Sequence, residues 1–134
     1  MAKGLDNLRF LDFVDDVTEI MNILDICVNC SYISETSSLS LSESMSVGAV
    51  PLVSRCGGNA FMAKGCGVVV PPRDSRALAA AIADLAVSDA KRQKLSSLAR
   101  ARFASEFDAS RMTGKNERLY ISLLKIVHAS FSRL

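Results

Sequence analysis

The chain holds 134 residues with a formal net charge of +2, and 49% of them are hydrophobic. That length suits one core, and without basic residues interleaved with aromatics the composition argues against a nucleic-acid binder. No run of roughly 18 apolar residues is present to span a bilayer.

A mean hydropathy of +0.24 is high for so short a chain, so part of the surface is expected to meet a partner. Charge is uneven. Residues 1–90 sum to −5 and residues 91–134 to +7. A positive last third suits anionic lipid, and hence a peripheral membrane contact, or an acidic partner. A solvated helix face is the simpler reading. Met1-Ala2-Lys3-Gly4 leads into charge and not into an apolar signal region, so a cytoplasmic location is expected.

In chain order, Leu8–Leu11 reads as a strand. Val14–Leu24 reads as a helix, with Asp15 or Asp16 near its cap and Val17, Ile20, Met21 and Leu24 on one face. Residues 25–30, rich in β-branched and thiol side chains, form the next strand. Ser31–Ser38 is too polar to extend it. Ser38 or Ser40 can cap a helix running through Val47 with Leu41 and Met45 inward, and Gly48 ends it at positive φ. A buried strand follows at 50–54, and Gly57-Gly58 permits a close backbone approach to a ligand. A strand at 67–70 stops at Pro71-Pro72. Asp74 then caps a helix Ser75–Val87, Asp89 caps a second to Phe107, and Asp108 caps a third from Ala109 to about Phe131. Strands alternating with helices argue for one α/β domain over residues 1–134, built on a parallel sheet.

Two acids stand out. Glu35 precedes the capped helix and Glu43 lies about one turn inside it. The orphan N–H groups and the dipole at the helix start attract an anion, phosphate above all. Glu43 can accept from both hydroxyls of a ribose, and Glu35 can reach a sugar across the diphosphate. The bland alternative is two solvated surface acids. Of the four cysteines, Cys27 and Cys30 fall three apart on a strand and so point to opposite faces. They read as reduced, with no metal site. His128 reads as a packing or surface residue of the last helix.

The run Glu35-TSSLSLS-Glu43 resembles the signature of the family 4 retaining glycosyltransferases of GT-B architecture, a Glu, seven residues, then Glu. Segments LRFLDFVDDV (from Leu8), DICVNCSY (from Asp25), SESMSVGAVPLVS (from Ser42), CGGN (from Cys56), GVVVPPRDSRALAAAI (from Gly67) and FDASRMTGKNERLYISLL (from Phe107) match in order. The resemblance implies a three-layer, Rossmann-like parallel sheet that forms the donor half of such an enzyme and lacks its first strands. It implies that Glu43 binds the ribose and that Glu35 lies by the donor sugar as the catalytic candidate. Backbone N–H groups at Ser37, Ser38, Leu39 and Ser40 would contact the sugar and diphosphate. The turn from Val14 to Asp16 would lie near the base. The implied substrate is a UDP- or GDP-linked sugar. No cofactor is implied, because preorganised donors stabilise the leaving diphosphate without a metal.

The chain departs from the pattern at Asp12 and Thr36, where the family has Gly. It also departs at Ser44 for Ala and at Phe61 for Glu. The Gly-Arg and Lys pair that clamps the diphosphate, and the acceptor-binding domain, would both lie before Leu8. A fragment, inactive or nearly so alone, is therefore expected. Two alternatives share the architecture: a non-catalytic interaction module and a nucleotide-sugar epimerase-like enzyme. In the family's sheet two further strands separate Leu8–Leu11 from the rest. That segment is thus expected to move, to disorder or to pair with another copy, and the apolar face of the last helix to seek a partner, favouring a homo-oligomer.

Overall fold

The computed structural model describes residues 5–33 and 35–131, with side chains through residue 126. Three short strands, β1 (Ile26–Asn29), β2 (Val50–Ser54) and β3 (Val68–Val70), form a parallel sheet in that order. Asn29 pairs with Val53, and Ser54 with Val70. The polar ends Asn29 and Ser54 therefore meet along one carboxyl edge of the sheet, where α/β sheets bind ligands.

β2 is buried over all five residues, as a central parallel strand must be when both faces are covered. On its Val53 face, Leu41 and Met45 of α2 (Leu39–Val47) pack with Met62 of α3 (Asn59–Met62), Ala99 of α5 (Asp89–Arg102), Ala63 and Cys66. α4 (Ser75–Val87) packs against β3 and buries Leu85 completely. The helical layers and parallel sheet agree with the expected α/β class.

α2 begins where the serine pattern placed it. Ser38 is the N-cap, and its Oγ accepts from the N–H of Leu41 at 3.3 Å. Gly48 closes the helix at φ +87°, its N–H bonding Met45 and that of Ala49 bonding Ser44, the two reversed bonds of a Schellman motif. Asp74 caps α4 through the N–H of Ala77 at 2.9 Å.

Several expectations need correction. Leu8–Leu11 forms no strand, and its side chains are exposed. No described strand lies alongside it to offer a ladder. The first helix, α1, spans only Thr18–Asn22, and only Met21 is buried. Asp89 does not cap the second long helix. Ser88 holds that position without a side-chain bond, and Asp89 pairs with Arg92 inside the first turn. The α-helix stops at Arg102, and Phe103–Phe107 is a wider π turn. Asp108 opens α6 (Ala109–Phe131), accepting from the N–H of Ser110 at 2.9 Å. Leu119, Tyr120, Leu123, Leu124 and Ile126 of α6 are exposed, an apolar surface along the helix. The side chains of Val127, His128 and Phe131 lie outside the described residues.

Candidate functional site

The site grows from the carboxyl edge of β1. Asn29 ends the strand, and the chain turns through Ser31 toward Glu35 and the start of α2. Glu35 is half-buried. Its Oε2 accepts from Ser31 Oγ at 2.9 Å, Asn59 Nδ2 at 3.3 Å and Asn29 Nδ2 at 3.4 Å. The Ser31 hydroxyl, then Asn59 and Asn29, hold the carboxyl below the usual glutamate range against the opposing effect of burial. Glu35 is therefore ionised at neutral pH and held in place, and is not a freely solvated acid.

Asn29 also donates to Ser38 Oγ at 3.0 Å, linking this carboxylate to the cap of α2. Ser38 is buried, and its hydroxyl meets Ser40 Oγ at 3.0 Å. Ser37, Leu39 and Ser40 are exposed at the open end of the helix. Among the described residues no acceptor meets the N–H groups of Leu39 and Ser40. These are the orphan donors that give a helix start its affinity for anions.

Glu43 lies elsewhere on α2. It is exposed and lines a crevice of about 140 Å³ with Val17, Thr18 and Met21 of the α1 region and Ser46 and Val47 of its own helix. Asp16 accepts from the N–H of Thr18 at 2.9 Å, and the Thr18 side chain, then that N–H, hold its carboxyl below the usual aspartate range. The structure thus sets Glu43 across a crevice from Val17, Thr18 and Met21, just after Val14 and Asp16, neither of which lines it. Glu35 belongs to a separate polar cluster nearer the sheet.

Gly57-Gly58 makes the close backbone approach expected of a double glycine. The close approach is to the chain itself: the N–H of Gly58 donates to Glu35 O at 2.6 Å. Sequence reasoning missed Asn29, Ser31 and Asn59. Asn29 offered a signal, an amide closing an otherwise apolar strand. Asn59 offered a weaker one, directly after the double glycine.

Among the described residues no group of three or more His, Cys, Asp or Glu is placed to hold a metal ion. All four cysteines are free, and burial pushes the thiols of Cys30 and Cys66 up. No described helix is long and apolar enough to cross a membrane.

A parallel α/β sheet with a polar carboxyl edge and an open helix start defines the class of Rossmann-like ligand-binding proteins. Within that class, residues 1–88 match the family model described as glycosyl transferases group 1, and the chain belongs to that family. Solved structures agree. Sucrose-phosphate synthase from Thermosynechococcus elongatus is 30% identical, with a TM-score of 0.69 over 76% of this chain and 26% of that one. Anabaena Alr3699/HepE, solved in complex with UDP, is 22% identical with a TM-score of 0.80, over 85% and 32% of the two chains. A glycosyltransferase from Rickettsia africae ESF-5 is 23% identical with a TM-score of 0.77, over 84% and 31%. The chain thus spans about a quarter to a third of the length of these structures. No curated protein matches it.

Proposed function

We propose that this chain is the nucleotide-sugar-binding part of a retaining glycosyltransferase that moves a sugar from a UDP- or GDP-linked donor to an acceptor. Glu43 binds the ribose hydroxyls, with Val14 and Asp16 toward the base. Ser37, Ser38, Leu39 and Ser40 offer the helix start to the diphosphate, and Glu35 faces the donor sugar as the catalytic candidate. Charge on the departing diphosphate is then met by fixed N–H dipoles, with no metal in the scheme. The observation that carries the reading is the pairing of an ionised, hydrogen-bonded Glu35 with the N–H groups at the start of α2 that no described acceptor meets. Turnover by the chain alone is expected to be slight, since its relatives are several times longer.

Titration calorimetry with UDP- and GDP-sugars tests the proposal. Saturable heat that weakens at least tenfold in Glu43→Gln supports it, a loss of about 1.4 kcal/mol. Heat indifferent to both Glu43→Gln and Glu35→Gln refutes it. A second reading, a non-catalytic interaction module, draws on Phe61. This residue replaces the family's acid and is exposed, its ring 6.4 Å from that of Phe107 in an edge contact, with Arg102 over it at 5.1 Å. Binding without any turnover in a full-length relative carrying these residues would favour it. Self-association through α6 or the open edge of β1 is also proposed, and light scattering after size exclusion would show a mass above one chain.

A further inference from the structure

The turn between β2 and α3 touches the Glu35 segment residue by residue. Cys56 Sγ donates to Ile33 O at 3.3 Å. The N–H of Gly58 donates to Glu35 O at 2.6 Å. Asn59 Nδ2 donates to Glu35 Oε2 at 3.3 Å. Gly57 sits at φ +50°, and a Cβ there would come within 2.7 Å of Glu35 N. A Cβ on Gly58 would come within 2.8 Å of the Thr36 carbonyl carbon. Both clashes fall on backbone, which cannot swing aside as a side-chain tip can.

We propose that the Cys56–Asn59 turn is a positioning device for the Glu35 carboxylate, the glycines seating its backbone and Asn59 fixing which oxygen turns outward. The proposal rests on the reading of Glu35 as the acid that faces the donor sugar. Three donors converge on Oε2, and among the described residues no hydrogen bond is recorded to Oε1, the oxygen we assign to a ligand. Asn59 suits the task because it is completely buried and is also tied to Asn29 Oδ1 at 3.2 Å. A side chain locked by packing and by a second bond holds its partner to a narrower geometry than a surface chain can. Its own Oδ1 is buried with no hydrogen-bond partner among the described residues. An orphaned acceptor is a cost that core packing alone would not select. Glu35 joins no ion pair among the described residues, so side-chain hydrogen bonds steady its charge.

The test is the titration of the Glu35 carboxyl carbon, followed by carbon-13 NMR in the chain itself and assigned by its loss in Glu35→Gln. The midpoint of the native chain is expected below that of an ordinary glutamate. Ser31→Ala, Asn59→Ser and Gly58→Ala should each raise it, the last without touching any donor to the carboxylate. A folded Gly58→Ala or Asn59→Ser that leaves the midpoint unmoved overturns the proposal. Should those two variants not fold, the native chain decides. The side-chain amide protons of Asn59 must titrate with the Glu35 midpoint and stop doing so in Glu35→Gln, and flat amide shifts overturn the idea. No sugar enters this readout. A chain that titrates as expected but takes up no UDP- or GDP-sugar keeps the positioning and loses the donor reading. A chain that binds them with an indifferent Glu35 loses the positioning alone.

Discussion

Replacing Gly48 by alanine separates the cost of a left-handed backbone from the cost of a displaced cation. Gly48 has φ +87°, and a Cβ there would fall 2.8 Å from Arg100 Cζ and 2.7 Å from Ser96 Oγ, with Arg100 Nε closer still. The Nε and Nη2 of Arg100 donate to Val47 O at 3.1 and 2.7 Å, satisfying a carbonyl at the end of α2. The left-handed conformation costs an alanine about 1–2 kcal/mol. Pushing Arg100 aside forfeits two exposed bonds to one carbonyl, together worth about 1 kcal/mol. Gly48→Ala should therefore cost about 2–3 kcal/mol. Gly65 is the internal control, with φ +78° and nothing within 4 Å of an added Cβ. Gly65→Ala should cost about 1–2 kcal/mol, the backbone part alone. Urea unfolding followed by circular dichroism gives each value. Arg100→Ala closes the cycle: once the guanidinium is gone and the Ser96 hydroxyl rotates away from the added Cβ, Gly48→Ala should approach the cost of Gly65→Ala, a coupling of about 1 kcal/mol. Strict additivity of Gly48→Ala and Arg100→Ala, or equal losses at the two glycines in the native background, would refute the reasoning.

Three other outcomes follow from the same packing. Leu41→Ala empties a completely buried position between α2 and the sheet, and should cost about 2–5 kcal/mol in the same unfolding assay. Asp74→Ala removes the side-chain cap of α4 and should cost about 1 kcal/mol, whereas Ser88→Ala, whose hydroxyl caps nothing, should cost distinctly less. The carboxyl of Asp108 is held below its ordinary value of 3.8 by the Ser110 side chain and N–H. A depressed folded value means stability that is complete above 3.8 and is lost as pH falls through the lower folded value. Asp108→Asn should thus flatten the fall of the thermal midpoint between about pH 5 and pH 3, and an unchanged slope would count against the cap.

Much of the local structure could be read from residue types because it depends on near neighbours. Ser38, Gly48, Asp74 and Asp108 each act within a few positions of themselves, through N-caps and a left-handed close. Alternation of apolar strands with helices was enough for the parallel sheet. The failures are tertiary. Asp89 satisfies every local rule for a cap, yet Arg92, itself bonded to Leu85 O and Ala86 O, draws it inside the helix. The Glu35 cluster joins Asn29, Ser31 and Asn59 across up to 30 positions, a link no periodicity encodes. The double glycine was recognised as a place of close approach. What approaches it could be learned only from the fold.

The N-terminal segment shows that apolar side chains alone do not make a strand. Leu8, Phe10 and Leu11 have the side chains of a buried strand, yet Phe10 is 84% exposed. The same holds at the sheet's open side, where Val28 of β1 is 46% exposed although its partner Leu52 on β2 is completely buried. A β-branched residue at a half-exposed edge gains little from its propensity, because propensity in a sheet is chiefly packing against neighbours. If the open edge of β1 is the common origin of both exposures, Phe10 and Val28 should become protected together when strands are supplied there. Hydrogen exchange of the β1 amides in a covalent fusion to the donor-half strands of a longer relative would show it. Slower exchange at β1 with Leu8–Leu11 still unprotected would separate the two and break the argument.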